Sequence, residues 1–161
     1  MEIGFKRIKH DAKTPTIHKD DGRILDIYAA EEVLIAPGET VAASTGLCFI
    51  FPDEIGLMFM PISGLSSKAF LRYPRGPFVL QNNHYSQEEV KILLENTYAS
   101  KETLQKVHEY KLIDGTIVSD QNNLYDEGTV KICKGDCIAR MMPVEAFYPD
   151  TEAPSKKPAK K

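Results

Sequence analysis

The sequence lacks the features that mark membrane-spanning, secreted and nucleic-acid-binding proteins. Its 161 residues contain no apolar run that approaches the roughly 18 residues of a membrane span. Residues 1–11 show no apolar signal-peptide core. The formal net charge is only −3, so the chain as a whole does not favour nucleic acid or an anionic membrane. We therefore expect a cytoplasmic protein that binds neither.

Cysteine is also scarce, with three residues, Cys48, Cys133 and Cys137. An odd number in apolar surroundings argues against a disulfide framework. Cys133 and Cys137 lie four residues apart, as half of a metal site would, but no second Cys or His pair lies at zinc spacing. We interpret both as small side chains of a strand and its turn.

What the sequence does contain is a series of short apolar segments separated by Pro, Gly and Asp. Such segments, recurring about every 8–12 residues, predict an all-β sandwich or barrel. Apolar residues make up 42% of the chain, which is enough for one domain with its own core. We place this domain at residues 1–149 and expect the Lys- and Pro-rich residues 150–161 to form a disordered tail.

One helix and one hairpin are predicted between these apolar segments. Ser100 is a good N-cap, and Leu104, Val107 and Lys111 would share a helical face, which predicts a helix over residues 100–111. The Asp-Gly pair at 114–115 is a hairpin signal.

The most informative stretch is 45–68, with the sequence TGLCFIFPDEIGLMFMPISGLSSK. Two apolar runs flank a Pro-Asp-Glu turn, which predicts strand, turn and strand. Pro61 cannot donate a ladder hydrogen bond, so the second strand should end there. Ser63 and Gly64 follow, offering a hydroxyl, backbone N–H groups and room for a ligand. We interpret this corner as a candidate anion-binding site.

This stretch resembles the trimeric dUTPase family, whose second motif reads PRSGLA, and the resemblance covers about residues 2–148. It implies a dUTPase-like β-barrel or jelly-roll fold of the β-clip type. It also implies a homotrimer whose three subunits share each site. The activity implied is Mg²⁺-dependent cleavage of dUTP to dUMP and pyrophosphate.

The resemblance assigns residues to a nucleotide site. Asp26, in the segment ILDIYAAE, matches the aspartate that helps to hold hydrated Mg²⁺. Ser63 and Gly64 match the phosphate-binding corner, and Lys68 is a nearby point charge that could substitute for a missing one. Arg140 occupies the place of a phosphate-contacting glutamine in the motif GDRIAQLV.

The family's third motif shapes the uracil pocket and carries the aspartate that activates water, and it should fall at residues 80–89, LQNNHYSQEE. Tyr85 would stack under the deoxyribose. Gln81 or Asn82 occupies the position of the catalytic base, and neither can accept a proton near neutral pH. His84 is the titratable side chain nearby and therefore the candidate replacement.

Other departures concern the arginine of the second motif, the C-terminal lid and an insertion. Ile62 stands where the family has an arginine able to make two charge-assisted bonds to phosphate. The tail TEAPSKKPAKK has neither the glycines nor the aromatic residue of the family's lid. We interpret residues 97–127 as an insertion that carries the predicted helix, and from which Asp114 or Asp120 could fold back into the site.

These departures favour a trimeric relative that is non-catalytic or weakly active. Such a protein would keep the trimeric fold as a scaffold or to bind a nucleotide such as dUTP. The alternative is a Mg²⁺-dependent pyrophosphohydrolase of dUTP or a related dNTP. A non-catalytic relative would need no cofactor. Nucleic-acid binding would rest only on the basic residues 156–161, and we do not expect it.

Overall fold

The computed structural model describes residues 2–82, 87–99 and 105–145. Within these ranges the chain forms short β-strands and a single helix, and no helix there is long and apolar enough to span a membrane. The elements in chain order are β1 (Gly4–Arg7), β2 (Thr16–His18), β3 (Asp21–Tyr28), β4 (Val33–Ile35), β5 (Thr40–Ser44), β6 (Leu47–Ile50), β7 (Ile55–Met60), α1 (Ser63–Ala69), β8 (Leu71–Arg72), β9 (Phe78–Gln81), β10 (Lys91–Asn96), β11 (Lys106–Val107), β12 (Glu109–Leu112), β13 (Ile117–Ser119), β14 (Tyr125–Asp126), β15 (Val130–Ile132) and β16 (Cys137–Glu145).

The largest sheet has five strands in the order β2-β3-β16-β7-β9, and every pair is antiparallel. Asp26 of β3 lies opposite Arg140 of β16, and Arg140 lies opposite Met60 at the end of β7. Directly opposed residues in such a ladder have Cβ atoms about 5 Å apart. The register alone therefore brings Asp26 and Arg140 together.

The remaining strands form smaller sheets, with the orders β1-β6, β5-β10-β8, β11-β14 and β13-β12-β15-β4. An aromatic cluster anchors the core: Phe59 meets Phe49 edge-on at 5.8 Å and stacks on Phe78 at 4.9 Å between ring centroids. Buried aliphatic side chains surround this cluster. The predicted all-β fold is confirmed.

The helix lies at Ser63–Ala69, in the corner that follows Pro61, and not at residues 100–111. The helix predicted there is wrong over the described residues, since Lys106–Val107 and Glu109–Leu112 are strands. Residues 100–104 lie outside the described part of the chain. The physical reason is the Asp-Gly turn, which folds β12 onto β13 and gives its backbone groups ladder partners that outweigh helical periodicity.

The short helix α1 forms because it buries one apolar stripe against the core. Leu65 and Ala69, four residues apart, are its buried side chains. The helix ends at Phe70, which adopts a left-handed conformation with φ of 55° and donates its backbone N–H to Ser66. This left-handed cap turns the chain into β8.

Candidate functional site

The site begins with Asp26 and Arg140, which lie side by side on the largest sheet. Arg140 Nε is 3.4 Å from Asp26 Oδ1, and the side chains are 36% and 19% exposed respectively. Both of these atoms are buried, and within the described ranges neither has a hydrogen-bond partner. Buried polar atoms are nearly always satisfied in native proteins. The two atoms face each other as an ion pair without a hydrogen bond, so each keeps hydrogen-bonding capacity that a ligand in the pocket could use.

His18 is a third member of this group that the sequence did not single out. Its Nδ1 lies 3.2 Å from Asp26 Oδ2, and its Nε2 lies 3.7 Å from an oxygen of the exposed Asp20. A register shift between Ile17 and His18 in the β2–β3 ladder places the imidazole there. The short polar segment around His18 carries no periodic signal that could have predicted this contact.

An open pocket of about 290 Å³ lies over the Asp26–Arg140 pair. Four residues assigned from the dUTPase resemblance line it, namely Asp26, Gly64, Lys68 and Arg140. The other lining residues are Ile62, Leu65, Ile113, Asp114 and Cys137. The pocket thus combines two acidic and two basic side chains on an otherwise apolar wall.

The corner that the family resemblance assigns to phosphate binding lies at the start of α1. Ile62 is the N-cap residue, with extended backbone and no side-chain capping hydrogen bond. A Cβ added to Gly64 would meet nothing within 4 Å, so a ligand can approach the backbone there. Ser63 lines an adjoining pocket, which shares Ile62 with the first. Ile62 therefore gives an apolar wall at the position where the family motif has an arginine.

The candidate base position lies elsewhere in the chain. Gln81 ends β9 opposite Gly56, whereas Arg140 lies opposite Met60, four residues further along β7. Four strand residues span about 13 Å. Asn82 donates its side-chain N–H to Asp53 Oδ1 at 2.6 Å.

The structure does not bring these third-motif residues into the pocket of Asp26. In the part of the chain that is described, neither Gln81 nor Asn82 lines that pocket. His84 and Tyr85 lie outside the described residues. Their assigned roles remain predictions.

The insertion contributes Asp114 to the pocket. This residue lies in the turn between β12 and β13, and its Oδ1 accepts the backbone N–H of Thr116 at 2.9 Å. That hydrogen bond, with a smaller effect of Lys68, lowers the pKa of Asp114 below its usual value. Asp120 instead accepts hydrogen bonds from Tyr125 and Asn123. Of the two aspartates considered from the sequence, Asp114 is the one that reaches the site.

Cys137 lines the pocket as a neutral thiol. Burial, and then the nearby charge of Asp26, raises the pKa of this thiol to about 11. The thiol is therefore protonated near neutral pH and a poor nucleophile or metal ligand. No group of three His, Cys, Asp or Glu side chains within the described ranges is placed to hold a metal ion.

The residues present fit a hydrated Mg²⁺. This ion prefers oxygen ligands, keeps several waters and is commonly held by one or two carboxylates together with substrate phosphates. Asp26 lines the pocket and offers one such carboxylate, whose Oδ1 has no hydrogen-bond partner among the described residues. The described residues do not form an all-protein cage, so a Mg²⁺ ion here would depend on oxygens from a ligand.

Comparison with known proteins shows to which family the chain belongs. A sequence model described as dUTPase matches residues 10–108. The chain belongs to the dUTPase family. A deoxyuridine 5'-triphosphate nucleotidohydrolase of Clostridioides difficile is 35% identical over 95 residues, covering 58% of this chain and 64% of that protein. One from Thermobifida fusca is 27% identical over 97 residues, covering 60% and 53%. The chain spans less than two thirds of the length of these two relatives.

Solved structures extend the likeness to nearly the whole fold. A mutant dUTPase from phage phi11 of S. aureus, described with a structural Mg(II) ion, has a TM-score of 0.83 at 22% identity and covers 94% of this chain and 95% of its own. Another phi11 dUTPase, described with a species-specific insert, has a TM-score of 0.82 at 21% identity and covers 99% of both chains. At these identities the likeness establishes the dUTPase-like fold.

Proposed function

We propose that this member of the dUTPase family binds dUTP, or a related dNTP, and hydrolyses it to the nucleoside monophosphate and pyrophosphate. The observation that carries the proposal is the ion pair of Asp26 and Arg140 that lines the pocket, whose buried atoms Oδ1 and Nε have no hydrogen-bond partner among the described residues. The first can hold a hydrated cation, and the second can donate a charge-assisted hydrogen bond to a phosphate oxygen. The curated relatives are named for this hydrolysis.

The residues that line the pocket have different roles in binding. Arg140 and Lys68 hold the phosphates, and Gly64 leaves space for them to reach the start of α1. Asp26 holds hydrated Mg²⁺, which when bound neutralises charge on the phosphate oxygens. His18 fixes the Asp26 carboxylate by contacting its other oxygen.

We propose that the functional unit is a homotrimer. Within one subunit Gln81, at the start of the third motif, lies about 13 Å along the sheet from the level of Arg140, by the register of both strands against β7. A site that uses both therefore needs the third motif of a neighbouring subunit. The mass of the particle, measured by light scattering after size exclusion, should be three times the 18.1 kDa of the chain.

A second candidate function is nucleotide binding without turnover. Two observations favour it: Ile62 lines the pocket where the family motif has an arginine, and Asn82 carries no carboxylate. Loss of one preorganised donor alone lowers turnover by roughly 10²–10³-fold in well-studied enzymes. We therefore expect turnover that is slow, and an assay must separate slow cleavage from binding alone.

The deciding experiment measures pyrophosphate release from each dNTP, using inorganic pyrophosphatase and phosphate detection, with either Mg²⁺ or EDTA. We expect turnover of dUTP above that of other dNTPs, dependent on Mg²⁺ and abolished by Asp26→Asn and Arg140→Ala. Arg23→Ala is the matched control, because Arg23 lies on the same strand as Asp26, is 79% exposed and pairs with Asp21. Saturable dUTP binding with no pyrophosphate would favour the second candidate, and no binding would contradict both.

A further inference from the structure

The turn between β12 and β13 forms one wall of the pocket. Asp114 lines it together with Lys68 of α1. Gly115, with φ of +90°, comes so close to α1 that a Cβ built on it would lie 3.5 Å from the Lys68 carbonyl oxygen. The insertion therefore touches the same helix that begins with the phosphate-binding corner.

Packing around Phe70 holds this turn in place. The ammonium of Lys111, on β12, lies 4.8 Å from the centre of the Phe70 ring, which itself meets Tyr98 edge-on at 5.7 Å. The Tyr98 ring in turn occupies the space beside Gly128, where an added Cβ would lie 2.3 Å from it. The insertion is thus packed against the residue that caps α1 through Tyr98 at its start and Lys111 on β12, so Asp114 is a fixed part of the wall.

The charges on the pocket wall balance. Asp26 and Asp114 are negative, Lys68 and Arg140 are positive, and Ile62 adds no charge. A metal-free triphosphate is a polyanion and gains no net attraction from such a wall. Its Mg²⁺ complex carries less negative charge and brings a cation that both carboxylates attract.

We infer that Asp114 is a specificity-determining residue, which makes the pocket favour a Mg²⁺-triphosphate complex over the metal-free triphosphate. The inference rests on the proposed function, since it concerns the same pocket. Asp114 acts from the insertion, outside the segments that match the family's motifs. The carboxylate repels phosphate oxygens that no cation screens, and it partly neutralises Lys68.

The test is a pair of binding constants for each variant, measured by calorimetry at fixed ionic strength with Mg²⁺ or EDTA. The probes are inorganic tripolyphosphate and the dUTP analogue dUpNHpp. Asp114→Asn removes the charge while its side-chain oxygen can still accept the Thr116 N–H. Glu109→Gln is the control, because Glu109 is an exposed acid on the same insertion.

Asp114→Asn should tighten binding in EDTA by about 3- to 10-fold and change binding with Mg²⁺ by less than about twofold, since one unit charge near an anion contributes on this order. The ratio of the two constants should therefore fall, and Glu109→Gln should leave it unchanged. An unchanged ratio in Asp114→Asn, or an equal fall in Glu109→Gln, overturns the inference.

The two probes separate this inference from the proposed function. If the ratio falls for tripolyphosphate while dUpNHpp binds no better than tripolyphosphate, the nucleotide assignment is wrong and the role of Asp114 stands. If dUpNHpp binds well and the ratio does not respond, the role of Asp114 is wrong and the proposed function stands. If the wild-type chain binds neither probe, both are overturned.

Discussion

His18 holds the carboxylate of Asp26 from the side opposite Arg140. Its Nδ1 lies 3.2 Å from Oδ2, while Arg140 Nε lies 3.4 Å from Oδ1. The aspartate is therefore fixed between an imidazole and a guanidinium, with one buried oxygen that has no hydrogen-bond partner in the described chain. A carboxylate fixed in this way is oriented before any ion arrives.

Replacing His18 should weaken the response to Mg²⁺ rather than the fold. Second partners of metal-binding side chains typically contribute 10- to 100-fold to metal affinity. We expect His18→Ala to raise the Mg²⁺ concentration at half-maximal dUTP turnover by roughly tenfold, at the lower end of that range. His10→Ala, at an exposed position, is the control and should leave the Mg²⁺ titration unchanged.

The contact between Asn82 and Asp53 allows a test at the position that the resemblance assigns to the catalytic base. Asn82 donates to the Asp53 carboxylate, so Asn82→Asp would set two carboxylates against each other. We expect this variant to lose roughly 1 kcal/mol of unfolding free energy at pH 7. The repulsion raises the pKa of the pair, so the loss should disappear as the pH falls below that pKa. Urea unfolding of the wild type and of Asn82→Asp at pH 7 and at pH 4 measures the loss of unfolding free energy at each pH.

The same position tests whether a carboxylate is the limiting component of catalysis. Asp53→Asn combined with Asn82→Asp keeps an amide partner for the new carboxylate while moving the charge to the base position. This double variant should release pyrophosphate from dUTP faster than Asp53→Asn alone. Equal rates would show that position 82 is not the base position.

A prediction about pH follows from the thiol of Cys137. Burial first, and then Asp26, raises its pKa from 9.0 to about 11 in the folded chain. Between these values the unfolded chain releases the thiol proton while the folded chain keeps it. The contribution of the protonated Cys137 thiol to the stability of the fold is therefore fully present below pH 9 and is lost as the pH rises toward 11. Cys137→Ala should lose less unfolding free energy than the wild type between pH 8 and pH 10, as urea unfolding at each pH would show.

Cys133→Ala is the control for this pH effect. Burial also raises the pKa of Cys133. Cys133→Ala should change the slope of unfolding free energy against pH less than Cys137→Ala does, because the Cys133 thiol is less buried than the Cys137 thiol. If unfolding free energy falls equally with pH in the wild type and in Cys137→Ala, the Cys137 thiol is not the group that causes the fall.

The sequence predicted the fold and part of the site for physical reasons that can be named. The short apolar runs and the turn residues between them predicted the strands. The dUTPase resemblance assigned Asp26, Gly64, Lys68 and Arg140 to the site, and these four residues line one pocket. Their proximity depends on the β3–β16 register and on the position of α1, which no local pattern records.

The errors have a physical cause in long-range pairing. Residues 106–112 show helical periodicity, yet β11 pairs with β14, and β12 pairs with β13 and β15, so these residues have strand partners. The helical corner at 63–69 was missed because small residues favour a turn as much as a helix until Leu65 and Ala69 are buried. His18 entered the site through a register shift, which sequence patterns do not encode.

The last prediction concerns Gly128, which directly follows the insertion and packs against Tyr98 near the start of the insertion. Its φ is +91°, and a Cβ built there would lie 2.3 Å from the tyrosine ring. Gly128→Ala therefore combines backbone strain with a steric clash, and we expect a loss of about 2–4 kcal/mol of unfolding free energy. Gly38→Ala is the matched control, since Gly38 has φ of +80° and open space around a built Cβ, so it should lose only about 1 kcal/mol. Equal losses in urea unfolding would show that the Tyr98 contact does not hold the insertion in place.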